Sequence, residues 1–242
     1  ASKEELRPVP DMVATSLGAN IFYTRLTGHG RTAEAMREGS VAAWMQDLAE
    51  TFQIGSMIGD KVIIISCSTG GTLVAAGIAR GIFSEQLNST VFFAPNFGVQ
   101  DRMAPLLTWP LARYWAPLVA GEMQTNTPRN HLHARYWTTS YPTISLIPMM
   151  QLIDMVDNAD LRTSTVPALF YFSPDDKVVD PQKTENFIAR WRGPREIMRI
   201  NGNESEDESN HLITGQVVSP SQVKRAADTV INWHDRISQA VA

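Results

Sequence analysis

The feature that most constrains this chain is the run Val62–Ile65, four apolar β-branched residues, followed at once by Ser66-Cys67-Ser68-Thr69-Gly70-Gly71 and then an alanine-rich stretch. A short run that is apolar on both faces suits a strand covered on both sides of a parallel sheet. The stretch Thr72–Ile82 suits a helix. The chain has only a few residues in which to turn from one to the other. So sharp a turn holds its central residue, Ser68, in a strained conformation and leaves room only for small residues two before and two after it, here Ser66 and Gly70. Gly71 permits still closer packing of the helix on the strand. Such a turn presents the Ser68 hydroxyl at its tip. It also places the Thr69 N–H at the start of a helix, where the dipole favours developing negative charge.

Strand–helix alternation continues on both sides of this turn. Strands are predicted at Asn20–Leu26, Val62–Ile65, Thr90–Ala94, Val166–Phe172 and Glu196–Ile200. Helices are predicted at Asp11–Leu17 with Gly18 as terminator, at Ser40–Phe52, and at Val223–Ile237. Ser2 and Glu5 have the spacing of a capping box, so a helical turn opens the sequence. The order argues for a parallel sheet with helices on both faces. Residues 96–165 break the rhythm. They hold six prolines from Pro105 to Pro148, together with Trp109, Tyr114, Trp115, Tyr136, Trp137, Met149 and Met150. So long a segment is read as a helical lid over one end of the sheet, the core being 1–95 and 166–242.

At 242 residues the chain has room for one α/β domain with an insertion, or for two small domains. A net charge of −4 gives no reason to expect nucleic acid as a partner. Apolar runs stay shorter than the roughly 18 residues of a membrane span, so no integral membrane segment is expected. The single cysteine, Cys67, can form no internal disulfide, which favours a cytoplasmic setting. It is read as a packing residue. Phosphate-loop and dinucleotide glycine patterns are absent, as are His-Glu-x-x-His and paired-cysteine motifs, so neither a cofactor nor a metal is expected. Nothing in the sequence addresses oligomeric state.

A serine hydroxyl needs a base, and the base needs a partner that fixes its tautomer. Asp175, Asp176 and Asp180 follow directly on the VPALFYF strand, at the rim where the Ser68 turn also ends. Of the histidines His29, His131, His133, His211 and His234, only His211 stands in a loop between the last strand and the closing helix. His234 falls inside that helix, and His131 and His133 lie in the lid at a spacing that a helix does not bring together. The acidic run Glu204, Glu206, Asp207, Glu208 ahead of His211 is read as a solvated loop.

Four stretches together resemble the α/β-hydrolase superfamily, in particular its lid-bearing esterases and monoacylglycerol lipases. They are Arg25-Leu-Thr-Gly-His-Gly30, Ser66-Cys-Ser-Thr-Gly-Gly71, Pro174-Asp-Asp-Lys-Val-Val179 and Asn210-His211. The resemblance implies an α/β-hydrolase fold, a Ser68–Asp176–His211 triad in that chain order, and Thr69 as an oxyanion donor. It favours Asp176 over Asp175 because the family's acid stands in Asp-x-Val-Val. It implies a serine hydrolase of carboxylic esters working through an acyl-enzyme, and the aromatics and methionines of the lid suggest a small-molecule ester with an apolar acyl or alcohol group. Thioesterases, peptidases and carbon–carbon bond hydrolases share the scaffold, and so do non-catalytic binding proteins. Ser66 departs from the family's usual glycine. A second departure lies at the front. The strands read here correspond to the family's fourth to eighth, and the loop that supplies its second oxyanion donor would precede residue 1. The expectation is either an N-terminally incomplete piece or a gap between Asn20–Leu26 and Val62–Ile65 that another segment or chain fills.

Overall fold

The structure, a computed structural model, describes residues 2–161 and 164–241. Ser2 accepts from the Glu4 amide at 3.2 Å and the Glu5 carboxylate accepts from the Ser2 amide at 2.6 Å, forming a capping box on one 3-10 turn, Lys3–Glu5. Helix α1 (Val9–Leu17) follows and ends at Gly18, which is left-handed at φ 61°. It starts two residues before the expected Asp11, because Pro10 sits in the first turn, where its missing N–H has no partner to lose. Helix α2 (Val41–Ile58) is capped by the Ser40 hydroxyl on the Ala43 amide. Then come β1 (Val62–Cys67), α3 (Thr69–Ala79) and β2 (Leu87–Phe93).

The inserted segment holds α4 (Ala112–Ala120), β3 (Met123–Thr125), α5 (His131–Tyr136), β4 (Ser140–Pro142) and α6 (Leu146–Asp157), with β3 and β4 paired antiparallel. The chain closes with β5 (Ala168–Phe172), α7 (Pro181–Arg190), β6 (Arg195–Arg199) and α8 (Val223–Val241). The expected lid boundary at 165 follows residues 162 and 163, which lie outside the described residues.

The main sheet is parallel, in the order β1-β2-β5-β6. Two layers of side chains follow from the period of two along its strands. Phe92, Ala168, Phe170 and Phe172 face one way and meet Leu152 and Val156 of α6, Phe187 of α7 and Leu73 of α3. Val91, Phe93, Leu169 and Tyr171 face the other way and meet α1 and α8 through Val9, Val13, Val230 and Trp233.

Two expectations fail here. Residues 20–26 are not a strand, and among the described residues the main sheet has four strands rather than five. β-Propensity expresses fit to a pleated neighbour, and among the described residues no strand lies beside this segment. Side chains hold it instead: Tyr23 Oη donates to Asp11 at 2.8 Å, Asn20 Nδ2 to the Ile58 carbonyl at 2.6 Å, and Thr24 meets Thr51 at 2.9 Å. For the same reason β1 is an edge strand among the described residues. Ser66 is its one buried residue; Ile64 packs on one apolar layer and Ile65 on the other, and the open edge leaves the run half-buried.

Candidate active site

Ser68 lies between the end of β1 and the start of α3, at φ 51° and ψ −122°. A non-glycine residue holds such a conformation only where its surroundings over-determine it. Here the Ser68 amide donates to the Phe93 carbonyl at 3.0 Å, and its carbonyl accepts from Gly71 at 2.9 Å and Asn96 at 3.1 Å. Both backbone groups are tied to β2 and the loop beyond it. Ser66, where the family has glycine, turns its hydroxyl onto the Val91 carbonyl at 3.0 Å and so satisfies a buried polar group within the sheet. Thr69 is the first residue of α3, where the helix supplies no acceptor for its N–H.

The loop after β5 carries Asp176, which is 2% exposed. Its Oδ1 accepts from the amides of Val178 at 2.8 Å and Val179 at 2.9 Å, which leaves Oδ2 for His211 Nδ1 at 2.8 Å. The far ring nitrogen, Nε2, stands 3.1 Å from Ser68 Oγ. Since the carboxylate accepts, Nδ1 carries the proton and Nε2 is free to accept from the serine hydroxyl. His211 is 5% exposed and follows Asn210, whose φ of 55° swings the backbone so that the ring enters the site. The two neighbouring carboxylates go elsewhere. Asp175 Oδ2 accepts from the Gly202 amide at 2.8 Å, and Asp180 caps α7.

The structure therefore brings Ser68, Asp176 and His211 together and puts Thr69 beside them. His29 packs edge-on against Trp44 at 5.5 Å, where burial holds its pKa below the ordinary value. His131 is exposed, His133 is the buried residue of α5, and His234 lies on α8. Cys67 packs against Leu212, Val217 and Val218, and burial pushes its thiol pKa up, away from thiolate chemistry.

One side chain in this region escapes the sequence reading. Asp207 is buried rather than solvated, and its carboxylate accepts from the backbone amides of His211 and Leu212. No pattern in the acidic run marks it off from Glu204, Glu206 or Glu208. Gln100, whose Nε2 donates to the Asp176 carbonyl at 2.9 Å, is equally unannounced.

A family model described as serine aminopeptidase, S33, matches residues 15–200, more than half of the chain. The chain belongs to the S33 family of hydrolases. No curated protein matches it. Solved structures similar to this S33 chain include a metagenome-derived lipolytic enzyme, with 14% identity, a TM-score of 0.75, and coverage of 96% of this chain and 88% of the other. A monoacylglycerol lipase of Paleococcus ferrophilus has 14% identity and a TM-score of 0.68, covering 96% and 89%. A monoglyceride lipase of Saccharomyces cerevisiae has 13% identity and a TM-score of 0.67, covering 88% and 75%. At these identities the likeness is one of fold, and it agrees with the family assignment: the S33 chain has the α/β-hydrolase fold. No helix among its described residues is long and apolar enough to cross a membrane.

Proposed function

We propose that this S33 chain hydrolyses carboxylic esters through a Ser68–His211–Asp176 triad. The observation that carries the proposal is the unbroken path from hydroxyl to imidazole to carboxylate, with contacts of 3.1 and 2.8 Å, set on a strained Ser68. In the first step Ser68 Oγ attacks the ester carbonyl carbon while His211 Nε2 takes the hydroxyl proton. The carbonyl oxygen becomes an oxyanion that accepts from the Thr69 N–H. The tetrahedral species then collapses, and His211 returns the proton to the departing alcohol. Water attacks the acyl-enzyme by the same route, releasing the acid and restoring the serine. Asp176 holds the Nδ1–H tautomer and stabilises the imidazolium formed in each step. Residues 96–165 act as the cap over this rim, and their aromatic and methionine content suits an apolar acyl or alcohol group.

The test is a panel of p-nitrophenyl esters of increasing chain length, run on the protein and on Ser68→Ala, together with labelling by a fluorophosphonate probe. Turnover is expected to fall by about 10⁴-fold or more in the variant, with labelling confined to Ser68. Equal turnover by the two proteins overturns the proposal. The description of the matched family favours one second reading, cleavage of an N-terminal peptide bond by the same triad. Aminoacyl p-nitroanilides decide between them: a higher kcat/KM on the anilides than on every ester assigns the peptidase.

A further inference from the structure

The loop between β6 and α8 carries a buried carboxylate that the triad does not use. The Asp207 side chain is fully covered, at 0% exposed. Its Oδ2 accepts from two successive amides, those of His211 at 3.0 Å and Leu212 at 2.7 Å. Its Oδ1 accepts from the Ser209 amide at 3.0 Å, and the Ser209 hydroxyl lies within 3.1 Å of both oxygens. One carboxylate thus fixes the backbone on both sides of the His211 Cα, a local bracing that few contacts in a loop provide.

A buried carboxylate is costly unless a cation pairs with it. That cation comes from the inserted segment. Arg129, just before α5, pairs with Asp207, and its second guanidinium nitrogen donates to the Ser209 hydroxyl at 2.8 Å. The same end of α5 is fixed by Asn130 Nδ2 on the Val217 carbonyl at 2.7 Å, and Leu132, Tyr136 and Trp137 pack on Leu212, Val217 and Val218. The cap therefore meets the histidine loop through an ion pair, two side-chain hydrogen bonds and an apolar patch.

We infer that Asp207 is a positioning residue for His211, and that Arg129 keeps it in place, so that seating of the cap and placement of the imidazole are one event. This rests on the triad reading given above. Asp207 touches no reacting atom. It acts through the backbone that aims the ring at Ser68 Oγ, where a displacement of about 1 Å is enough to cost on the order of 100-fold.

The experiment measures kcat and KM for p-nitrophenyl acetate, a substrate too small to need a cap pocket. The proteins are wild type, Arg129→Ala, Arg129→Lys, Asp207→Asn and Ser68→Ala, each at a temperature where circular dichroism shows it folded. The expected result is a fall in kcat of about 10- to 100-fold for Arg129→Ala with KM within about threefold, and recovery of most of that loss in Arg129→Lys. Asp207→Asn is expected to fall at least as far as Arg129→Ala. Should that variant fail to fold, the arginine pair still decides. A kcat for Arg129→Ala within twofold of wild type overturns the inference, as does an equal loss in Arg129→Lys, which would mark Arg129 as a matter of shape rather than charge. Turnover that survives in Ser68→Ala removes the triad reading and this inference with it. A silent Ser68→Ala beside an unaffected Arg129→Ala removes the positioning role alone.

Discussion

Asp175 and Asp176 are adjacent in sequence and opposite in use. Asp175 braces the Gly202 amide, whereas Asp176 meets the imidazole. Asp176→Asn is therefore expected to lower kcat by about 10⁴-fold, because an amide favours the wrong tautomer. Asp175→Asn is expected to change kcat by no more than a few-fold, and a steady-state comparison of the two variants checks both. Position along the strand left the two carboxylates equivalent, and only the Asp-Lys-Val-Val match separated them. Asp207 was not legible at all, since burial of one acid among four depends on Arg129, nearly eighty positions away. The glycines after Ser68 carry a similar lesson. A Cβ at Gly71 would stand 3.0 Å from Pro95 Cβ and 3.3 Å from Phe92, while one at Gly70 would meet nothing closer than Ser66 Cβ at 3.9 Å. Gly71→Ala is expected to cost about 1–3 kcal/mol through overpacking. Gly70→Ala is expected to be close to neutral, helped by the better helix former. Thermal melting of the two variants decides. The motif's spacing drew attention to Gly70, but the backbone approach that demands a glycine falls one residue later.

At the scale of elements, the attachment of α5 is expected to depend on acidity. The Arg129 amide donates to His133 Nδ1 at 3.1 Å, and the ring stacks edge-on against Trp137 at 4.8 Å. Burial first, and the Arg129 charge second, hold the His133 pKa below its ordinary 6.5. The unfolded chain then binds the proton more readily than the folded one. Whatever stability the neutral ring provides is complete above pH 6.5 and disappears as pH falls through the lower, folded-state pKa. Trp137 fluorescence is expected to report a loosening of α5 whose midpoint lies below pH 6.5, and His133→Asn is expected to abolish that transition. The longer elements were legible because their apolar periodicity or continuous apolar runs survive in the sequence, as in α2, β2, β5 and α8. Helix α7 went unread although Asp180-Pro181 is a good start signal, its few apolar residues being too sparse to show a stripe. Residues 20–26 were misread because a stretch of β-formers says nothing about whether a partner strand lies alongside.

The whole molecule is two apolar layers separated by one sheet, and these should respond independently. Leu152→Ala on the α6 side is expected to cost about 2–5 kcal/mol and Ile213→Val on the α8 side about 0.5–1.5. The double variant should equal their sum within about 0.5 kcal/mol, since no side chain is shared across the strands. Denaturant melts of the three variants test this, and a larger discrepancy would mean that the layers communicate through the backbone. The parallel architecture was legible from strand–helix alternation, whereas the division of each strand's residues between the layers needed the register.

That register also gives the three residues of the proposed triad unequal footing. Asp176 and His211 extend from neighbouring strands, β5 and β6, and their loops are stitched by the Lys177 amide on the Ser209 carbonyl at 2.8 Å. Ser68 follows β1, with β2 lying between that strand and β5. The proposed proton relay thus has one joint between neighbouring strands and one that reaches across the width of the sheet. Sliding of β1 or β2 against β5 would widen the gap between oxygen and nitrogen while leaving the carboxylate's hold on the ring intact, so on the proposed reading turnover is expected to report such sliding before any spectroscopic signal of unfolding does.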